Sequence, residues 1–237
     1  MLLLLYICFK KVHKLEGHEN EVKSCAYSVS GRFLATASRD KSVWVWQVDE
    51  DEDFDVCSIL QGHTADVKFV VWHPTDDILV SGGYDCSIHF YCFDGDDFVT
   101  IQKIEAAHDS TVWSAAFDHS GKYLVTVGAD KFLKIWQQKW AESLQERSWA
   151  KLLELELDTR WPLYAVDWNH LTGHIAVSGG DGKVRIFNFD FDSESLTKSG
   201  SFTVEDEVNS LRWHPTIPQL LSVSCDDGFI HLLTHDC

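Results

Sequence analysis

The sequence predicts an all-β protein assembled from repeated units, on three observations. Segments that alternate apolar and polar residues return along the whole chain, as half-buried strands require. Four prolines stand against ten tryptophans, a composition rich in strand-favouring bulk and poor in breakers. His18, His63 and His108 are separated by 45 residues each time, and Asp40, Asp85 and Asp130 keep the same interval. With 237 residues, 45% of them hydrophobic, the chain can bury a sizeable core.

The chain opens on an apolar run, Leu2 to Phe9, that is far short of a membrane span. It has no preceding positive charge and no convincing cleavage site, so a strand is expected rather than a leader. The first unit then supplies "VKSCAYSVSGRFLATAS", two strands joined by a polar turn, and after Asp40 a third strand closing on Trp46. The second and third units repeat the plan as "VKFVVWHPTDDILVSGG" and "VWSAAFDHSGKYLVTVG", and Trp46 returns as Tyr91 and Trp136. The insertion from Lys139 to Arg147 breaks the spacing and reads as a surface loop. Two weaker copies follow, with Asp181 and Phe187, then Asp227 and Leu233, and both lack the Gly-His pair. The resulting units are residues 10–57, 58–102, 103–157, 158–204 and 205–237, within a single domain.

A net charge of -17 disfavours broad contact with phosphate, so proteins or basic peptides are better partners than nucleic acid. The seven cysteines are scattered and never form C-x-x-C, which signals neither a disulfide framework nor a zinc knuckle and suits a reducing cytosol or nucleus. Each strong unit holds a hydroxyl (Thr36, Ser81, Thr126), a histidine and an aspartate, the makings of a nucleophilic triad. Repetition argues against that, because catalysis needs one constellation whereas a buried hydrogen-bond chain is needed in every unit. His18, Thr36, Asp40 and Trp46, with His63, Ser81 and Asp85 and with His108, Thr126, Asp130 and Trp136, are therefore expected to be structural. No catalytic residue and no metal site is expected. Tyr27, Trp72, Phe117, Trp168 and Trp213 recur at one point of successive first strands and read as packing residues. His73, His119 and His214 fall in turns, where turn chemistry is the simpler reading.

A period near 45 with Gly17-His18, Gly62-His63, the variant Ala107-His108, an aspartate and a closing aromatic resembles the WD-repeat family. The resemblance implies a β-propeller of about five recognisable four-stranded blades, where the family normally has seven. Seven blades at this period need about 315 residues, so roughly two are unaccounted for. Leu2 to Leu15 is the segment that could close a ring, and a shorter array is expected to be aggregation-prone or partner-dependent.

Residues that the repeat does not dictate are the candidates for function. Just before the fixed aspartate stand Arg39, Tyr84, Ala129, Gly180 and Asp226; early in the first strands stand Lys23, Lys68, Trp113, Tyr164 and Asn209. In the family these positions share one face, so Arg39, Lys23, Lys68, Tyr84, Trp113 and Tyr164 are expected to make a cationic and aromatic mouth. Such a mouth suits a carboxylate beside an aromatic or apolar group. The bland alternative is that Arg39 is a rim residue paired with nearby acids. Acidic stretches at Asp49–Asp55, Asp94–Asp97 and Asp190–Ser195 should share the opposite face, as a solubilising surface or as a dock for a basic partner with Trp140 and Trp149 at its edge.

Within the family, "LEGHENEVKS", "SRDKSVWVW", "DVKFVVWHP" and "STVWSAAFD" are similar to the WD-repeat subunits of cytosolic iron-sulfur protein assembly. The resemblance implies a non-enzymatic, cofactor-free scaffold of a targeting complex, cytoplasmic and also nuclear, that helps deliver [4Fe-4S] clusters. It implies a MIP18-type adaptor, a HEAT-repeat adaptor, a hydrogenase-like cluster carrier and iron-sulfur apoproteins as partners, with no nucleic acid and no membrane. It also implies a recognition role for Arg39. The alternatives are a general WD-repeat adaptor reading a basic peptide or tail, of chromatin or ubiquitin-ligase type, and a hydrolytic propeller, which would need an unrepeated catalytic cluster.

Overall fold

The computed structural model describes residues 13–49, 53–139 and 141–234. The expected strand at Leu2–Phe9, Trp140 and part of the first acidic run lie outside them. Nineteen strands in the described residues form five antiparallel sheets, each a meander in chain order. The first sheet holds β1 (Val22–Tyr27), β2 (Phe33–Ser38), β3 (Ser42–Val48) and β4 (Phe54–Gln61); the second holds β5 (Val67–Trp72), β6 (Ile78–Gly83), β7 (Ile88–Phe93) and β8 (Phe98–Ile104). The third holds β9 (Val112–Phe117), β10 (Tyr123–Gly128), β11 (Phe132–Lys139) and β12 (Ser148–Glu156); the fourth holds β13 (Leu163–Trp168), β14 (His174–Gly179), β15 (Lys183–Asp190) and β16 (Ser195–Thr203). The fifth has three strands among the described residues, β17 (Val208–Trp213), β18 (Leu220–Cys225) and β19 (Ile230–Thr234), against the four expected.

These sheets are the blades of a β-propeller. First strands pack in succession, β1 on β5, β5 on β9, β9 on β13 and β13 on β17. Tyr27, Trp72, Phe117, Trp168 and Trp213 line a common cavity of about 500 Å³. Between blades lie the apolar layers: Phe33, Ala35, Val43 and Val45 of blade one meet Val70, Trp72 and Leu79 of blade two, and equivalent layers follow. The second strands β2, β6 and β10 are buried along their whole length, as strands sandwiched within the array are, whereas β18 of the last blade is buried only at alternate positions.

Two packing expectations are corrected. Tyr27 is 59% exposed. Ser24 and Ala26 face β5, where Val70 N–H reaches Ser24 Oγ (3.5 Å) and the Trp72 indole donates to Ala26 O (2.8 Å). The strand period of two turns Tyr27 to the other side, where no described strand packs against it as β5 does. Trp149, expected at the edge of a docking face, is 2% exposed and stacks on Phe90 at 4.5 Å. It lies on β12, whose outer position covers the second and third blades' core rather than solvent. The insertion before it does form a surface connection, with a short 3₁₀ turn at Leu144–Glu146.

A polar chain fastens the first three blades. His18 Nδ1–H donates to Asp40 (2.7 Å), its Nε2 meets Thr36 Oγ1 (2.8 Å), and the Trp46 indole donates to the same hydroxyl (3.1 Å). His63, Asp85, Ser81 and Tyr91 repeat it at 2.8, 2.8 and 3.3 Å. His108, Asp130, Thr126 and Trp136 repeat it at 2.9, 2.8 and 2.9 Å. Each aspartate also accepts the backbone N–H that follows its histidine, at Glu19, Thr64 and Asp109. His73 and His214 cap their own turns, each accepting backbone N–H groups at Nδ1.

Replacing His108 by Ala leaves the Asp130 carboxylate and the Thr126 hydroxyl buried without their partner, and a loss of about 3 kcal/mol is expected in urea unfolding followed by tryptophan fluorescence. An acid limb is also expected. Burial raises the Asp40 pKa, but hydrogen bonds from Ser42, His18 and Glu19 N–H outweigh it and hold the group at about 2. Its folded pKa is depressed, so its contribution is present above the ordinary carboxylate range and lost as pH falls towards 2. Thermal melts across that range should show a shallower decline in Asp40→Asn.

Candidate functional site

The face of interest is built from one local irregularity repeated five times. In every blade the pairing of first and second strands slips by one residue, between Val22 and Ser24, Val67 and Phe69, Leu163 and Ala165, Val208 and Ser210, and on β9 between Val112 and Ser114. The extra residue at each bulge is Lys23, Lys68, Tyr164, Asn209 and Trp113, respectively. A bulge re-aims its side chain out of the ladder, so these five project from the end of the first strands.

A second constraint places their neighbours. The residue before each fixed aspartate donates its N–H to the carbonyl just before the first strand: Arg39 to Glu21, Tyr84 to Asp66, Ala129 to Thr111, Gly180 to Pro162 and Asp226 to Glu207, at 2.9 to 3.1 Å. Only the backbone is used, which leaves the side chains free to differ. Glycine is required at Gly83 and Gly179, where an added Cβ would lie 2.0 Å from Asp66 O and 2.1 Å from Pro162 O.

The six candidate residues form one continuous row. Lys68 Nζ sits 3.9 Å from the Tyr84 ring centre and 5.1 Å from that of Trp113. Tyr84 meets Trp113 edge to face at 5.8 Å, and Trp113 meets Tyr164 at 5.3 Å. At the other end Lys23 pairs with Glu21, and Arg39 lies 3.7 Å from Glu21 and 3.9 Å from Asp66, which is also 3.9 Å from Lys68. The Arg39 side chain is 54% exposed and its ion pairs are long, so most of its donor fork faces solvent. The Trp113 Nε1 donor is buried, with no hydrogen-bond partner among the described residues.

Cations occupy one half of the row. Lys23, Arg39 and Lys68 gather on blades one and two, interleaved with Glu21 and Asp66. Blade five presents Glu207 and Asp226 instead, beside Tyr164 of blade four. Burial first, then Glu207, raise the Tyr164 phenol pKa. Sequence reading aligned Asp226 with Arg39 but missed Glu207, which sits at a strand entry and is invisible until the bulge brings strand start and turn together.

The geometry defines a WD-repeat propeller. The "WD domain, G-beta repeat" family matches residues 9–47, 54–92 and 99–137. Over 232 residues the chain is 50% identical to a probable cytosolic iron-sulfur protein assembly protein CIAO1 homolog of Caenorhabditis elegans, covering 94% of this chain and 69% of the relative. Probable cytosolic iron-sulfur protein assembly proteins 1 of Scheffersomyces stipitis (33% identity, 92% of this chain, 67% of the relative) and Chaetomium globosum (30%, 78% and 50%) are also similar. The chain thus spans between half and two thirds or so of these relatives, and it belongs to the CIAO1-type family of WD-repeat proteins.

Because Arg39 is half-exposed and its ion pairs are long, Arg39→Ala should change unfolding free energy by less than about 1 kcal/mol. Equilibrium denaturation of the two proteins side by side checks this, and it makes any binding defect of the variant attributable to the rim.

Proposed function

We propose that this chain is part of a non-enzymatic scaffold in cytosolic iron-sulfur protein assembly, which helps a targeting complex hand [4Fe-4S] clusters to apoproteins in the cytosol and nucleus. The observation that carries the reading is the Arg39-to-Tyr164 row, together with relatives whose names specify cytosolic iron-sulfur protein assembly. A chain-terminal or side-chain carboxylate would pair with Arg39 and Lys68. An adjoining aromatic or apolar group would pack on Tyr84 and Trp113, and an acceptor on it would take up the unpaired Trp113 N–H. Glu207 and Asp226 of blade five oppose a second carboxylate there, which sets the ligand's direction along the row. A MIP18-type adaptor, a HEAT-repeat adaptor, a hydrogenase-like cluster carrier and iron-sulfur apoproteins are the proposed partners.

The repeated fasteners support the non-enzymatic reading. Each His–Asp pair is closed by a third-strand aromatic rather than opened to a cleft with an oxyanion hole.

The test is a pull-down from cytosol with wild type and Arg39→Glu, probed for both adaptors and for iron-sulfur clients. Wild type is expected to capture them, and the variant to lose one partner selectively while retaining the rest. Failure of a folded wild type to capture any would overturn the assembly reading; equal capture by both proteins would overturn the role of the rim.

A further inference from the structure

We propose that Cys225, Asp227 and His231 on the fifth blade form a binding site for a divalent transition-metal ion of borderline softness, with zinc as the type. One ligand atom from each of the three lies within 4.8 Å of the other two. His231 Nε2 is already 2.6 Å from Asp227 Oδ2, and Cys225 is buried at the end of β18. A thiolate, an imidazole and a carboxylate are a donor set that zinc-class ions take, and three protein ligands leave one position for water.

The combination is particular to this blade. Where the fifth blade has Cys225, the others have Ser38, Gly83, Gly128 and Gly179; where it has His231, they have Trp44, His89, Lys134 and Arg185. The spacing of two and then four residues resembles no linear metal motif. The turn between β18 and β19, with Gly228 at φ +82°, folds the three together. The expectation of no metal site rested on such spacing, and this proposal departs from it.

The site can open. A tetrahedral zinc with nitrogen and oxygen ligands near 2.1 Å holds them about 3.4 Å apart, so His231 and Asp227, now 2.6 Å apart, need part by less than about 1 Å. Among the described residues β19 is the outermost strand of its blade, with Ile230 and Leu232 exposed, so His231 can move by that amount. A cavity of about 350 Å³, lined in part by Asp227, His231 and Glu205, gives access from solvent. Burial first, then Asp227, Asp206 and Asp226, raise the Cys225 thiol pKa. A bound dication reverses that field, and binding releases the thiol proton to solvent. By contrast His63, Asp85 and His89 also cluster, but both ring nitrogens of each histidine are hydrogen-bonded, and the two rings are nearly fully buried.

The experiment uses the untagged chain titrated with Co²⁺ and then Zn²⁺. One equivalent of cobalt should bind with a thiolate-to-cobalt charge-transfer band and tetrahedral ligand-field bands, and zinc should displace it. Cys225→Ser should abolish the charge-transfer band, and His231→Gln should weaken binding by about tenfold or more, while His89→Asn leaves both intact. Far-ultraviolet circular dichroism of the metal-free variants checks their fold, and zinc should raise the Tm of wild type but not of Cys225→Ser. Absence of cobalt binding, a charge-transfer band that survives in Cys225→Ser, or loss on His89→Asn in place of His231→Gln would overturn the site.

Discussion

The architecture depends on keeping a nearly buried aspartate satisfied at the turn between second and third strands. A carboxylate withdrawn from water is costly unless its oxygens find donors, and each blade meets that requirement at the same place. In the first three blades the donors are an imidazole N–H, the backbone N–H after the histidine, and the turn's own N–H two residues on. Blades four and five lack the histidine, and the rest of the chain of bonds changes with it. Val177 and Val223 stand where the others have a hydroxyl, and Phe187 and Leu233 stand where the others have Trp or Tyr. Replacing partners together avoids orphaned polar groups, which is why the substitution is tolerated. Asp181 is then held by Arg185, and Asp227 by His231, both from the third strand.

That requirement also determines where variable side chains can stand. The fixed aspartate pins the loop entering the first strand, and the residue before it pins the same loop through a backbone bond. With the loop held at two points, the one-residue surplus on the first strand has to be taken up as a bulge. Five bulges at one end of five adjacent strands make a row whose spacing is set by the backbone and whose chemistry is left to sequence. Arg39 therefore serves as a guanidinium on a rigid mount, while Asp40 beside it does the structural task.

The strands, blade count and fasteners were legible because each depends on short-range pattern repeated in register. The period of two gave the strands, and the 45-residue interval aligned the histidines, aspartates and aromatics. Lys23, Lys68 and Trp113 could be aligned too, but not the bulge that aims them, since an extra residue looks the same as any other until its partner strand is known. Glu207 on the row was missed for the same reason. Trp149 and Tyr27 were misread because burial depends on what stands opposite: Phe90 in one case, and in the other no described strand packed as β5 is. His63 and His89, stacked at 3.9 Å, are 26 positions apart and meet only through the sheet.

In a repeat architecture each unit is stabilised by its own contacts and by the interfaces with its neighbours, so units packed on both sides are held more firmly than units packed on one. The middle blades bury both faces. The fifth presents Phe229, Ile230 and Leu232 to solvent, each 66% exposed or more, and the first presents Val22, Tyr27 and Val29. The fifth blade also has the most reduced fastener, a single His231–Asp227 side-chain contact in place of the four-residue chain. A metal ion bridging Cys225, Asp227 and His231 would tie β18, the turn and β19 together where interface and fastener contribute least. The place where a ligand contributes most to order is thus the place where the repeat has lost its own polar chain.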